Sequence, residues 1–257
     1  MTWCDKLSST PAVGYLYEPY AASGDRIIDS LTPLINTWYT GPKANFTVAK
    51  HETLSVELQH DNGFVYHVSD TKASVSYQHR LKLRNTSAGL PVAELISQPL
   101  QFSKILDSAF DELVKVALAL PQPHGRNISR VGVVSTTIAA REDIPPGIMK
   151  MIEYFGRPWD NKVQSFNLSI QSELRKDDQF VDRCTHFLIQ GDDEESDLIT
   201  FKFDWQRTIL KPVAAVVADL NKLNSSAVKS ALAYFEDLAV GNAFDEHLIR
   251  QRENVSE

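Results

Sequence analysis

Three residues on neighbouring predicted strands have the types that a serine hydrolase needs. The run Asp61-Asn62-Gly63 predicts a hairpin turn, which in simple register places Glu57 opposite His67. A tight second turn would bring Ser76 beside His67, so that acid, imidazole and hydroxyl form one row. A nucleophilic serine requires a base that a carboxylate orients, but a solvated sheet face supplies neither a pocket nor an oxyanion hole. Cross-strand polar pairing is the favoured interpretation, and a hydrolase is a minor alternative.

Residues that could bind a metal are sparse. Asp160, Glu173 and Arg175 have the loose Asp…Glu-x-Arg spacing of a metal-dependent nuclease, although this spacing also arises by chance. Cys184 and His186 lie two residues apart, on one face of a predicted strand. With no other close Cys or His, they lack the four ligands of a structural zinc site and are better explained as core residues.

Sequence motifs of the common enzyme families are absent. The chain has no G-x-x-x-x-G-K-[ST], G-x-G-x-x-G, H-E-x-x-H, C-x-x-C or G-x-S-x-G motif, which excludes only the families that carry them. We therefore predict no catalytic residue, no cofactor and no metal site, and a metal-dependent nuclease is a second minor alternative.

The clearest basic stripe is formed by Arg80, Lys82 and Arg84, which alternate along a predicted strand and so share one face. Phosphate groups attract such a row. No aromatic side chains are interleaved to stack on bases, and a solvated edge strand is the more usual origin of this pattern. RNA or DNA binding is therefore an alternative function.

An acidic segment lies between two later predicted strands. It contains Asp192, Asp193, Glu194, Glu195 and Asp197. It lacks the alternating oxygen spacing and the mid-loop glycine of an EF-hand, so calcium binding is not predicted. A solvated turn is the usual explanation, and a docking patch for a basic partner is the alternative.

Composition and charge are those of an ordinary soluble protein. The 26 basic and 33 acidic residues give a net charge of -7, which opposes nonspecific attraction to nucleic acid or an anionic membrane. Two cysteines cannot form a disulfide framework, and the start of the chain lacks the basic and apolar regions of a signal peptide. We predict a cytoplasmic protein with no membrane partner.

The order of predicted elements occurs twice. A short strand, a helix, a three-strand meander and a long amphipathic helix are predicted in residues 12–120 and again in 128–249. This series predicts an α+β fold of two pseudo-duplicated β-α-β-β-β-α units, with antiparallel meanders backed by long amphipathic helices. The Pro/Gly-rich residues 121–125 predict units 1–124 and 125–257, joined through their sheets as one cooperative body.

The helices differ in how firmly their patterns define them. Apolar positions keep helical spacing through residues 102–120, for about five turns. An earlier helix, ending at Gly41-Pro42, is predicted to kink or split at Pro33. Pro145 and Pro146 predict the start of a short helix. The last helix is predicted from Val213, with a new cap at Asn224-Ser225-Ser226.

Two segments resemble an uncharacterised, sporadically distributed family of prokaryotic proteins of about this length. They are the strand at residues 128–134 and the closing helix around residues 233–238. The family strand typically reads Arg-Val/Ile-Gly-Leu-Arg-Tyr, whereas this chain has Val133, Val134 and Ser135 in place of Leu-Arg-Tyr. Family members often lie near antiviral defence loci, and some look like accessory proteins of type III CRISPR systems. The resemblance implies a binding role without established chemistry.

These patterns together predict a non-enzymatic protein that binds another protein, or a regulatory accessory factor. The resemblance places it in prokaryotic antiviral, CRISPR-associated defence. A nucleic-acid-binding protein is the alternative, and a hydrolase or metal-dependent nuclease is less favoured.

Overall fold

The computed structural model describes residues 10–18, 24–39, 46–60, 62–78, 81–85, 91–95, 101–121, 126–156, 166–175, 178–190 and 198–241. The strands in these residues are β1 (Thr10–Tyr17), β2 (Phe46–His51), β3 (Ser55–His60), β4 (Phe64–Ser69), β5 (Lys72–Tyr77), β6 (Leu81–Asn85), β7 (Pro91–Leu95), β8 (Asn127–Ala140), β9 (Phe166–Arg175), β10 (Phe180–Gln190) and β11 (Leu198–Ala214). The helices are α1 (Gly24–Tyr39), α2 (Phe102–Ala119), α3 (Pro146–Gly156) and α4 (Val217–Val240).

Nine of these strands form one antiparallel sheet, in the order β2-β3-β4-β5-β1-β8-β11-β10-β9. Strands β6 and β7 form a separate two-stranded sheet. The predicted α+β class with antiparallel meanders is confirmed. β1 pairs with β8 at the centre of the sheet, where Val13 lies opposite Val133 and Tyr15 opposite Val131.

One face of the nine-stranded sheet carries the core. Because side chains alternate between the two sides of a strand, Tyr15 of β1 and Trp205 of β11 point to the same buried layer. Helix α1 contacts β2, β3 and β4, α2 contacts β1 and β5, and α4 contacts β8 and β11. The alternate residues of the same strands form the opposite face, here called the open face, and most of them are half-buried or exposed.

Helix α2 confirms the strongest helical pattern in the sequence. Its buried residues repeat at helical spacing, and Ile105, Leu106 and Leu113 are almost completely removed from solvent. α2 also contacts α1 and α4, so it lies at the centre of the helix layer. Among the described residues, no helix combines the length and apolar composition that crossing a membrane requires.

The last helix differs from the prediction. α4 is continuous from Val217 to Val240, so the predicted new cap at Asn224-Ser225-Ser226 is wrong. The Tyr15 hydroxyl donates to Oδ1 of Asn224, and the Arg207 guanidinium donates to Ser226, so these side chains serve tertiary contacts. Val213 belongs to β11, where it pairs with Ile128 of β8.

The first half also contains more strands than predicted. It contributes β2, β3, β4 and β5 to the meander, whereas three strands were expected. Residues 75–83, expected on one strand, are divided between β5 and β6 of the other sheet. The amide of Gln78 donates to the Gly63 carbonyl at 2.8 Å. Gly63 directly precedes β4 and Gln78 directly follows β5, so this contact marks the end of the β4–β5 pair. The three-strand meander of the second half, β9 to β11, is as predicted.

Helix α1 runs without interruption through Pro33, so the predicted split does not occur. The hairpin expected between β3 and β4 is present. Gly63 has a φ of 100° there, and a Cβ at this position would lie 2.7 Å from the Gln78 carbonyl oxygen. The turn therefore requires glycine for both its backbone conformation and its close contact.

Candidate functional site

The predicted hydrolase row forms only in part. Glu57 lies opposite His67, as expected. The two-residue turn after β4 places Ser74 opposite His67, and Ser76 lies opposite Val65, so the placement of Ser76 is wrong. The Ser74 hydroxyl donates to the main-chain oxygen of His67 at 3.5 Å, and Glu57 accepts from the side-chain amide of Gln59. These contacts are cross-strand and local polar pairs, and they do not form a relay from acid to base to nucleophile.

The residues proposed for a nuclease do not form a metal site in the part of the chain that the structure describes. Asp160 lies outside the described residues. Glu173 of β9 binds Arg183 of β10 at 2.8 Å on the sheet surface. Arg175 ends β9. Within the described ranges, no three His, Cys, Asp or Glu residues lie close enough to hold a metal ion.

The basic stripe lies mainly on the two-stranded sheet. Arg80 is outside the described residues. Lys82 and Arg84 lie on β6, opposite Glu94 and Val92 of β7. Lys82 and Arg84 therefore belong to a sheet that is separate from the nine-stranded one. Binding of the basic stripe to nucleic acid stays a prediction.

Cys184 and His186 lie in the core, where the sequence placed them. The Cys184 sulfur is 3.5 Å from Nε2 of His186, whose ring packs against Phe201 and Phe203 at centroid distances of 6.2 and 5.7 Å. Burial lowers the pKa of His186 to about 4. Burial, with a smaller effect of the Asp204 charge, raises the pKa of the Cys184 thiol. At neutral pH both groups are uncharged, which matches a packing role.

Exposed apolar side chains cluster at one end of the open face. Thr200 of β11 lies between Ile138 of β8 and Ile189 of β10, and Leu198 is two residues away on the same face. Ile138, Ile189 and Leu198 are 58%, 40% and 49% exposed, and we call these three residues the open-face patch. At a strand spacing of about 4.8 Å, Ile138 and Ile189 are separated by roughly 10 Å. Thr200 lies between them, and Leu198 is diagonal to both isoleucines.

A cationic side chain shares strand β11 and its open face with Leu198. The ammonium of Lys202 is 5.3 Å from the ring centroid of Phe187, on the neighbouring strand. The acidic residues Asp192, Asp193, Glu194 and Glu195 lie outside the described residues. Their segment joins Gln190, the last residue of β10, to Leu198, a member of the patch. The acidic segment is therefore adjacent to the patch in the chain.

A second candidate site is the cleft between helices α2 and α4, which has a volume of about 380 Å³. Its lining residues are Asp107, Phe110, Asp111, Asn221, Asn224, Ser225 and Val228. Partial burial and the neighbouring Asp111 charge raise the pKa of Asp107. Sequence reasoning missed this cleft. The signal that it could have used is two aspartates one turn apart on α2, since like charges at this spacing destabilise a helix.

No family model matches the chain, and no curated protein matches it.

Proposed function

We propose that this protein is a non-enzymatic interaction protein that binds another protein through the open-face patch. The observation that carries the proposal is the grouping of Ile138, Ile189 and Leu198, each at least 40% exposed, on one regular sheet face. Burying apolar surface stabilises a complex by about 25 cal/mol per Å². Exposed apolar side chains grouped on one face are more typical of an interface than single scattered residues are.

The acidic segment indicates the chemistry of the partner. Asp192, Asp193, Glu194 and Glu195 follow β10 directly and precede Leu198 in the chain. Because this acidic segment adjoins Leu198 in the chain, a partner whose apolar residues are surrounded by Lys and Arg would complement it. In such an interface the apolar centre supplies most of the affinity, and the charges increase the association rate and select the partner. The proposed partner therefore has a basic rim.

The resemblance to the sporadically distributed prokaryotic family supports the cellular role. On that basis we propose a regulatory accessory factor in antiviral defence, in a CRISPR-associated system of type III, acting in the cytoplasm. The net charge of -7 favours a protein partner over nucleic acid.

Photocrosslinking in the protein's own cells tests the interface. A photoreactive amino acid replaces Ile138 in one strain and Leu198 in another, and the crosslinked partner is identified by mass spectrometry. Leu54 is 54% exposed but lies in the first half of the chain, outside the patch, so it is the matched control position. We expect one protein with basic residues at the contact to be captured from both patch positions and not from Leu54.

Substitution gives an independent test of the same interface. Ile138→Asp should abolish copurification of the captured partner, and Leu54→Asp should not. Because both side chains are exposed, both variants should keep wild-type thermal stability. Equal capture from all three positions, or salt-dependent binding of RNA in place of a protein, would contradict the proposal.

We also propose that the two halves derive from one duplicated unit. From the outside of the sheet to its centre, the first half has the order β2-β3-β4-β5-β1 and the second has β9-β10-β11-β8, so the two orders agree apart from the additional edge strand β2. In each half a helix follows the first strand. A long helix follows the meander directly in the second half and after β6 and β7 in the first. If the halves are duplicates, β1, β3 to β5 and α2 should superpose on β8, β9 to β11 and α4. Long helices that cross their sheets in different directions would contradict a duplication.

A further inference from the structure

The two edges of the nine-stranded sheet differ in how they are protected. Strand β2, at one edge, has six residues, shifts its register between Val48 and Lys50, and contains that lysine. A short length, a bulge and a lysine are features by which edge strands avoid pairing with another chain. Strand β9, at the other edge, has ten residues, contains no lysine or proline, and pairs with β10 without a register shift. The β9 edge therefore lacks the protection that β2 has.

The outer side of β9 is open to a further strand. Among the described residues, β9 is the last strand of the sheet, and β10 is the only element that packs extensively against it. On its open face, Asn167, Ser169 and Gln171 are exposed and uncharged. Glu173, the next residue on this face, binds Arg183 of β10 at 2.8 Å. Because alternate main-chain groups of an antiparallel strand point away from its neighbour, this edge is a template for strand addition.

The apolar layer of the sheet extends onto β9. Leu168 and Ile170 lie on the core face, opposite Leu188 and His186 of β10. Both pack against the core and are half-buried. An added strand would cover them if it presented apolar residues on this face and polar residues on the open face. Strand β9 itself has this pattern, so a second copy of the same strand meets the requirement.

We propose that a second copy of this chain occupies this edge, with the two β9 strands antiparallel about a two-fold axis at Ile170. Ile170 then lies opposite its own counterpart, and the core faces of both sheets lie on the same side. In this register Leu168 lies opposite Ser172 of the other copy, and Asn167 lies opposite Glu173. No like charges meet, and the Asn167 amide can donate to the Glu173 carboxylate. The edge is therefore complementary to itself.

The symmetric pairing has the size of a specific interface and closes at two chains. Residues 166–174 of each strand overlap, which gives about eight to ten main-chain hydrogen bonds, and a typical interface has about ten. The edges that remain in the dimer are the two β2 strands, which are protected, so no third chain is added. The pairing uses only the sheet edge at β9, so it does not rest on the function proposed for the open-face patch.

The mass of the full chain in solution tests whether the dimer forms. Size-exclusion chromatography with light scattering measures this mass, and sedimentation velocity over a dilution series gives the dissociation constant. We expect twice the mass of one chain. The mass of a single chain at every concentration that stays monodisperse would overturn the proposal, including the case in which β9 pairs with an extended segment of a different protein.

Charge substitutions test the register, in which Ser169 lies opposite Gln171 of the other copy. Ser169→Lys/Gln171→Lys places lysine opposite lysine in both pairs, whereas Ser169→Lys/Gln171→Glu places lysine opposite glutamate. The dissociation constant of the first variant should exceed that of the second by about ten-fold or more, because like charges directly opposite are unfavourable and opposite charges are favourable. Because both side chains are exposed, both variants should fold.

The matched control adds the same two lysines away from the edge. Asn221→Lys/Ser225→Lys lies on the exposed side of α4 and should leave the dissociation constant at the wild-type value. Equal dissociation constants for the two β9 variants would overturn the proposed pairing. An equal loss of dimer in the α4 control would do the same, because the effect would then come from the total charge.

Discussion

The two long helices close the two halves of the sheet by different chemistry. Helix α2 contacts β1 and β5 through apolar residues such as Leu106 and Leu113. The region beneath α4 contains a buried ion pair, in which Arg207 of β11 binds Asp182 of β10 at 2.6 and 2.7 Å. The same guanidinium donates to Ser226 and Ser230 of α4 at 2.7 and 3.0 Å.

This difference separates two effects: apolar packing buries a helix, and directional hydrogen bonds fix its position. Apolar packing stabilises α2 strongly, but it is non-directional. In contrast, only one rotation and one axial position of α4 bring both Ser226 and Ser230 to the guanidinium. The guanidinium also lies 5.1 and 5.2 Å from the ring centroids of Phe180 and Trp205. Because desolvation offsets much of the attraction in a buried ion pair, the network contributes more to the placement of α4 than to stability.

The largest expected effect comes from separating the two halves. Residues 1–124 and 125–257, expressed separately, should each fail to fold, because cutting between them exposes the paired edges of β1 and β8. The hydrogen bond from Tyr15 to Asn224 also crosses this boundary. Circular dichroism and thermal unfolding of each fragment measure the outcome. Cooperative unfolding of either fragment alone would show that the halves are independent domains.

Removing the buried cation tests the region beneath α4. Arg207→Leu should destabilise the protein by about 3–5 kcal/mol, because Asp182 is left as a buried charge without its partner. Urea unfolding measures the loss. The double variant Asp182→Leu/Arg207→Leu should recover most of it, since an apolar pair replaces the ion pair.

A matched substitution in α2 should behave differently. Leu113→Ala should cost about 2–5 kcal/mol through the cavity that it leaves, and no second polar substitution should restore stability. If the double variant at Asp182 and Arg207 is as unstable as Arg207→Leu alone, then the contrast between the two helices is wrong.

The pH dependence of stability should reveal His186 in the second half. Its pKa is lowered from 6.5 to about 4 by burial, so between these values the unfolded chain is protonated and the folded chain is not. The contribution of the neutral imidazole to the free energy of unfolding is therefore complete above pH 6.5. This contribution, about 3 kcal/mol, is lost as the pH falls from 6.5 to about 4. Urea unfolding across this range should show the loss in the wild-type protein and not in His186→Leu. Equal slopes in both proteins would contradict the assignment.

The smallest expected change in stability comes from a substitution on the side of α2 that lines the cleft. Asp111→Asn removes the repulsion with Asp107, so it should stabilise the protein by about 0.2–0.5 kcal/mol. Asp29→Asn on α1 should have no such effect. The midpoints of urea unfolding compare the two variants. A loss of stability in Asp111→Asn would mean that this carboxylate supports packing. It would also mean that the repulsion between Asp107 and Asp111 does not destabilise the protein.

The amino-acid sequence by itself determined the elements whose patterns are local. Helix α2 and strands β9 and β11 were predictable because their apolar residues keep the helical and strand periods over most of their length. In β10 the apolar residues Phe187 and Ile189 lie on the open face, and the polar residues Asp182 and His186 are buried. The β3–β4 hairpin was predictable from Asn62-Gly63, because a turn with positive φ selects such residues.

Only the tertiary structure decided which distant residues meet. A turn of two residues, not marked by a strong motif, placed Ser74 where Ser76 was expected. Asn224 and Ser226 carry the composition of a helix cap, but contacts with Tyr15 and Arg207 use their side chains inside α4. The cleft joins aspartates of α2 to asparagines of α4, two helices far apart in the chain. Such pairings depend on the packing of the whole core, and the period of a single segment contains no information about its neighbours in space.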